Sequence, residues 1–342
     1  MKVGFFVLRL IGYLVLPLTI TISSAAPARE PIIDMHVHAL AADDQGPPPM
    51  AMCVPIDPMP TWDTGLPTIA NFITPFKNPP CTDPIWSPET TEEVMRQSLA
   101  VMERNNVIGV VSGRVKILSA WVAAAPDRVM PSLTPDLPTP DNFATELGQL
   151  KKDGRIAVLG ELGFQYEGIS PDDPRLEPLW AAAEANDIPV ALHMGPGPPG
   201  IAYMPGMGYR ARLSSPLLLE DVLVRHPKLR VNVMHAGFPM LDDTLALLYA
   251  HPQVYLDTGV IVYTQPRPAF YRYLGALVDA GFGKRIMFGS DQMVWPETME
   301  RGIAVIKEAP FLTADQKRDI LYNNAARFLK LDEATIARHH AM

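Results

Sequence analysis

Cysteine is nearly absent from this chain: 342 residues hold two, Cys53 and Cys81. Neither belongs to a CxxC or CxxxC pair, so a zinc–thiolate site is not expected. Both lie in one proline-rich stretch. In an oxidising compartment they are able to close a disulfide loop, worth roughly 3–4 kcal/mol in the chain-entropy view; two free thiols are the alternative. Positive charge is also scarce. Lys and Arg number 29 against 37 Asp and Glu, a net charge of −8. A surface this acidic does not attract phosphate backbones, which counts against a nucleic-acid partner. The one GxGxxG string, GPGPPG at 195–200, carries three prolines and opens no helical pattern, so a doubly wound nucleotide-binding sheet, the runner-up architecture, lacks its strand–turn–helix signature. Disorder is excluded by composition, since hydrophobic residues make up 48% of the chain.

The N-terminus differs from the rest. Lys2 and Arg9 precede an apolar run, Leu10 to Ile22, and the small residues Ser23 to Ala26 follow. This order is that of a secretory signal peptide over residues 1–25, with cleavage after Ala25 or Ala28. The run is shorter than the roughly 20 residues a membrane span needs, so no stable membrane insertion is expected after cleavage; an uncleaved anchor is the alternative. Removal of Lys2 and Arg9 takes the charge from −8 to −10.

From residue 31 the chain repeats a short apolar run, a loop and an amphipathic helix. The runs are Pro31–Val37, Asn106–Ser112, Val129–Thr134, Ile156–Leu162, Pro189–His193, Leu229–His235, Val254–Thr258 and Ile286–Ser290. They are continuous rather than alternating, as parallel strands buried on both faces are. Helices are expected over 90–105, 141–152, 174–186, 216–226, 240–251, 268–281 and 297–309, and a capping box at Thr313 and Gln316 opens one more. Eight such units predict an α/β fold, a (β/α)8 TIM barrel over residues 31–332. Two long insertions, 39–88 after the first strand and 195–215 after the fifth, show no evident secondary structure. Both fall at the C-terminal ends of strands, where barrel active sites lie. They are expected to form a lid or wall over the mouth; contact between subunits of a homo-oligomer is the alternative, and the two roles can coexist.

Ionisable residues close these buried runs repeatedly. His36 and His38 stand at i and i+2 in IDMHVH, so a strand presents both on one face, where two imidazoles can share one ion. Glu161 closes the fourth run, His193 the fifth and His235 the sixth, and Asp291 follows the eighth in FGSDQ. Each has a structural alternative: Glu161 could pair with an arginine, and Asp291 could cap a helix. The set decides, since four of the six histidines before His339 and His340 stand at strand ends with two carboxylates. His226 and His251 each precede proline at a helix end and read as structural. Four imidazoles and two carboxylates suit Zn²⁺, with Mn²⁺, Fe²⁺ or Co²⁺ as alternatives.

IDMHVHA, the strand-end His193 and His235, the GSD of the eighth run and the terminal NNAARFL together resemble the amidohydrolase superfamily. Within it they look most like the amidohydrolase-related branch that includes the aminocarboxymuconate-semialdehyde decarboxylase-like proteins. The resemblance covers about residues 31 to 330. It implies a TIM barrel, with His36, His38, His193 and Asp291 as metal ligands and His235 as ligand or catalytic acid/base. GELGF looks like the strand-four glutamate of TatD-like hydrolases, which bridges two metals, so Glu161 is expected as a ligand and one or two ions are possible. No strand-four lysine is present to be carbamylated, a departure from the phosphotriesterase-like members.

The expected function is that of a secreted or periplasmic metal-dependent hydrolase acting on a small-molecule ester, lactone or amide, with Asp291 and His235 catalytic. The alternatives are metal-dependent non-oxidative decarboxylation of an aromatic or unsaturated acid, and a periplasmic metal- or ligand-binding barrel. Arg210, Arg212 and Tyr209 in the second insertion, and Trp295 after Asp291, are the candidate substrate contacts; solvated loop arginines are the alternative for the first two.

Overall fold

The computed structural model describes residues 29–137 and 139–342, with Met1 and Gly4. The signal-peptide segment 1–25 therefore lies outside the described residues, apart from those two. Among the described residues no helix is long and apolar enough to cross a membrane.

Eight parallel strands form one sheet in chain order: β1 Ile32–Ala39, β2 Val107–Gly113, β3 Val129–Leu133, β4 Val158–Leu162, β5 Val190–His193, β6 Val231–Met234, β7 Val254–Asp257 and β8 Ile286–Met287. Each coincides with one apolar run of the sequence. The seam between the last strand and the first is joined by Met35 N donating to Phe288 O (2.9 Å) and Asp291 N donating to His36 O (2.7 Å). The sheet thus closes on itself as a TIM barrel. Buried Asp34 strengthens the seam: its Oδ1 accepts from His36 N at 3.1 Å and from Ser290 N at 2.8 Å.

Helices cover the barrel where the stripes predict them. Thr90 caps the helix Thr91–Arg104 by accepting from Glu93 N, and the Thr313–Gln316 capping box is formed. One apolar cluster packs strands against helices. A second gathers Ile33, Val158, Ala191, Met234 and Met287 from five strands with Tyr322 and Phe328 of the C-terminal helical segment.

Three elements differ from the sequence expectation. The first insertion is not structureless: it holds the helix Thr68–Lys77 and a two-residue antiparallel ladder, Ala51–Met52 with Ile85–Trp86. That helix buries none of its residues fully; its apolar stripe, Ile69, Phe72, Ile73 and Phe76, stands in the sequence, but Pro75 inside it and the prolines around it conceal it. A helix Val115–Ala124 separates β2 from β3; its sequence VKILSAWVAA is apolar around most of its circumference and has no stripe. Past residue 332, where the barrel domain was expected to end, a helix Glu333–Ala341 continues, capped by Asp332. Cys53 and Cys81 form a disulfide that ties the start of the first insertion to the segment after its helix.

Candidate metal centre

Strand-end placement brings His36, His38, Glu161, His193, His235 and Asp291 to one mouth of the barrel. Two register irregularities contain His36 and Glu161. One lies between Asp34 and Val37 on β1, the other between Leu159 and Leu162 on β4, and a bulge of this kind redirects the side chains it contains. His235 (φ 57°) and Asp291 (φ 53°) both stand in left-handed backbone. That region is sparsely populated by non-glycine residues and recurs at functional sites.

Two carboxylates each approach one pair of imidazole nitrogens. His36 Nε2 lies 3.1 Å from His38 Nε2, 3.5 Å from Glu161 Oε2 and 3.5 Å from Asp291 Oδ1. His38 Nε2 lies 3.2 Å from the same Glu161 oxygen and 3.0 Å from the same Asp291 oxygen. Ligands bound at 2.0–2.2 Å around one tetrahedral ion stand about 3.3–3.5 Å apart. The five separations, 3.0 to 3.5 Å, bracket that edge.

The electrostatics favour positive charge at the centre of the four. Burial works to lower His36, but Asp291, Asp257 and Glu161 outweigh it and hold its imidazole well above the usual range. Burial likewise opposes charge on His38, yet hydrogen bonds that its ring donates to Asp291 and Glu161 raise it to about 9. Glu161 and Asp291 are held below their ordinary values against burial, chiefly by His36. A divalent cation supplies the same charge to the same atoms, so this donor set fits a metal.

His235 and His193 flank the four. His235 Nδ1 lies 2.9 Å from Gly259 O. A carbonyl only accepts, so Nδ1 carries the proton and Nε2 offers a lone pair. That buried Nε2 has no hydrogen-bond partner and lies 3.8 Å from Glu161 Oε1, the oxygen turned away from His36 and His38. Asp291 Oδ2 lies 3.9 Å from the other nitrogen of the ring. His193 Nε2 faces Tyr166 Oη at 3.0 Å. Burial and the neighbouring His235 push His193 down to about 3, a neutral imidazole at any ordinary pH. Donor atoms of Glu161, His193 and His235 lie within 4.8 Å of one another, so a second ion is geometrically accommodated there.

Several supporting residues were not among the expected site residues. Gln165 Oε1 faces His193 Nδ1 at 2.9 Å. Asp257 accepts from Gly259 N (2.8 Å), His235 N (3.2 Å) and Asn232 Nδ2 (2.7 Å), and lies 3.5 Å from His36 Nδ1. It closes the seventh run in VYLDT, the same strand-end carboxylate pattern that marks Glu161, so the sequence could have identified it. Gln165 and Tyr166 sit in a short 3-10 turn, Phe164–Glu167, beyond any periodic pattern. Two glycines admit the backbone against the rings: a Cβ on Gly259 would collide with His36 Nδ1, and one on Gly195 with His235 Cβ.

The expected substrate contacts divide. Trp295 lines the cavity over the site; its Nε1 donates to Met50 O at 2.8 Å and its ring stacks on Phe76 at 6.0 Å. Tyr209 is buried but not on the lining: its hydroxyl donates to Gly195 O (3.1 Å) and accepts from Gly197 N (3.0 Å), holding the second insertion in shape. Arg210 and Arg212, expected as substrate contacts, are exposed and off the lining. Tyr209, Leu213 and Ser214 take the inward positions of this segment, leaving the arginines between them outside, and Arg210 donates to the Tyr209 carbonyl at 2.7 Å. His226 pairs with Glu177 and Glu184 on the helical layer, consistent with a structural role.

Comparison with known proteins places this site in context. A family model described as Amidohydrolase matches residues 33–331. Protein fluG of Emericella nidulans is 23% identical over 164 residues, 42% of this chain and 18% of that protein, so the chain spans under a fifth of this curated relative. Among solved structures, an uncharacterized TIM-barrel protein from Bordetella bronchiseptica is 18% identical, with 90% of this chain and 100% of that one covered and a TM-score of 0.55. 5-Carboxyvanillate decarboxylase from Sphingomonas paucimobilis is 18% identical, covering 68% and 82%, TM-score 0.52. A probable 2-pyrone-4,6-dicarboxylic acid hydrolase from Acinetobacter baumannii, with citric acid bound, is 14% identical, covering 88% and 99%, TM-score 0.56. At these identities the three likenesses speak to the fold.

Proposed function

The chain belongs to the amidohydrolase family, and from that premise we propose that it is a metal-dependent hydrolase of an ester, lactone or amide. The observation that carries the reading is that Glu161 and Asp291 each place a carboxylate oxygen 3.0–3.5 Å from the paired Nε2 atoms of His36 and His38. These four would hold the first ion, Zn²⁺ by donor type. Glu161, His193 and His235 would hold a second. When bound, the metal lowers the pKa of water towards about 7 and polarises a carbonyl oxygen.

The chain's own residues then divide the proton work. Asp291 lines the cavity and is held in its carboxylate form by His36 and His38. It takes the proton of the attacking water and returns it to the leaving group. His235 keeps its lone pair on the cavity side because Gly259 O fixes the proton on Nδ1. Glu161 keeps an oxygen towards each half of the site.

We further propose that residues 1–25 direct export to the periplasm or beyond. The Cys53–Cys81 disulfide supports this, since such bonds persist in oxidising compartments. N-terminal sequencing of the chain recovered from a periplasmic fraction tests it.

For the reaction, the test is metal content of the purified protein followed by an ester, lactone and amide panel. Turnover that depends on bound metal is the expected result. Release of CO₂ from a carboxylic acid instead would make the chain a decarboxylase. Bound metal with no turnover of either kind would make it a binding barrel.

A further inference from the structure

The cavity above the site says what the substrate looks like. It measures about 1300 Å³, larger than the roughly 300–1,000 Å³ of ordinary small-molecule pockets. Met52, Phe72, Phe76 and Trp295 form its wall beside the metal-site residues. At the rim Ile69, Met59 and Met207 are 55%, 47% and 44% exposed. Apolar surface left open at a cavity mouth marks an apolar ligand.

The charges of the wall point the same way. Among the described residues no arginine lines the cavity, and Lys77 is the one lysine there. Lys77 Nζ is engaged by the carbonyls of Pro47 and Pro49. Asp44, also on the lining, is paired with Arg114. A carboxylated ligand would therefore meet no guanidinium in the wall away from the metal centre, and one ammonium that two carbonyls already hold. The two insertions build this wall together: Trp62 of the first packs on Tyr203 of the second, with ring centroids 4.9 Å apart.

We propose that the substrate is a neutral molecule with a large apolar group, such as a long-chain or polycyclic ester, lactone or amide, and that the helix Thr68–Lys77 is the element that selects it. The inference rests on the hydrolase reading for the bond cleaved, but not for the ligand held. Burial of each methylene is worth about 0.8 kcal/mol, a factor of roughly three to four.

The test has two arms. In the first, calorimetry measures binding of neutral 2-alkanones of seven to eleven carbons and of straight-chain dicarboxylates of matched length. Affinity should rise about threefold per methylene for the ketones and stay weak for the dicarboxylates. Phe72→Arg, and independently Met204→Arg in the second insertion, should lower ketone affinity at least tenfold and raise that for dicarboxylates, with metal content unchanged. Affinity independent of chain length, or dicarboxylates binding more tightly than ketones, would overturn the proposal. In the second arm, kcat/KM is followed along γ-lactones of five to twelve carbons and along carboxylated lactones. A rise with chain length supports the proposal; a preference for the carboxylated series overturns it. Chain-length-dependent ketone binding without turnover of any lactone, ester or amide would uphold the cavity reading and remove the hydrolase one.

Discussion

Gln165 Oε1 stands 2.9 Å from His193 Nδ1, and the amide that carries it is itself locked. Its Nε2 donates to Gly195 O at 3.2 Å and to Ser214 Oγ at 2.7 Å. Because Gly195 O can only accept, the amide orientation is set, and the imidazole must place its proton on Nδ1. Gln165 is thus a positioning residue for a neutral His193 whose Nε2 lone pair faces the site.

Gln165→Leu should weaken metal binding at the Glu161–His193–His235 position about 10- to 100-fold, the usual cost of losing an outer partner of a ligating histidine. Chelator competition measures it. Gln165→Glu keeps an acceptor and should restore binding; equal loss in both variants would point to a folding defect. Nitrogen NMR of His193 should show the Nδ1–H form in the native protein and a tautomer mixture in Gln165→Leu.

Tyr166 competes for that same lone pair, with its hydroxyl 3.0 Å from His193 Nε2. Burial, and after it Glu161 and Asp291, hold the phenol well above its ordinary range, so it stays a donor. Tyr166→Phe removes a hydrogen bond worth about 1 kcal/mol. A second equivalent of metal should then bind roughly threefold to tenfold more tightly, while the first is unaffected. An unchanged second equivalent in equilibrium dialysis would show that His193 is not a ligand.

Asp291→Asn retains an oxygen for the metal but cannot take a proton. Turnover should fall by about 10²- to 10⁴-fold, the range of general acid–base catalysis, with little change in melting temperature. Full activity in this variant would remove Asp291 from the proton path. Glu161→Gln should cost metal affinity as well as rate, because Glu161 Oε2 lies 3.2 and 3.5 Å from two imidazole nitrogens.

Cys53 adjoins the cavity-lining Met52, and Cys81 follows the wall helix Thr68–Lys77, the two cysteines lying 28 residues apart. Closing a loop of this length is worth about 3–4 kcal/mol in the chain-entropy model. Cys53→Ser with Cys81→Ser should lower the thermal midpoint and raise KM for long apolar substrates, while kcat at saturation changes less than twofold, since neither residue touches the metal site. A fall in kcat with KM unchanged would contradict the wall role.

Much of this protein was legible before folding. Parallel strands buried on both faces must read as continuous apolar runs, and all eight barrel strands do. His36 and His38 share a face because side chains repeat every two residues along a strand, and their Nε2 atoms meet at 3.1 Å. Glu161, His193, His235 and Asp291 are visible because an ionisable group at the end of a buried strand has no packing reason to be there. Local signals of this kind survive in one dimension.

Convergence does not. His38 and Asp291 are 253 positions apart and come within 3.0 Å only because the β8–β1 seam closes the barrel. In the second insertion Tyr209 and Leu213 turn inward and leave Arg210 and Arg212 on the outside, a distinction no spacing encodes. Gln165 owes its role to Gly195 and Ser214, 30 and 49 positions away. The helix Thr68–Lys77 becomes a wall because its apolar stripe, Ile69, Phe72, Ile73 and Phe76, lines the cavity, and which space a stripe faces is not written in its own residues. The sequence by itself determined the strands and the strand-end chemistry, because those follow from each residue's immediate neighbours. The tertiary structure alone decided which donors meet, which rings are oriented and how apolar the cavity is, because those depend on contacts between segments far apart in the chain.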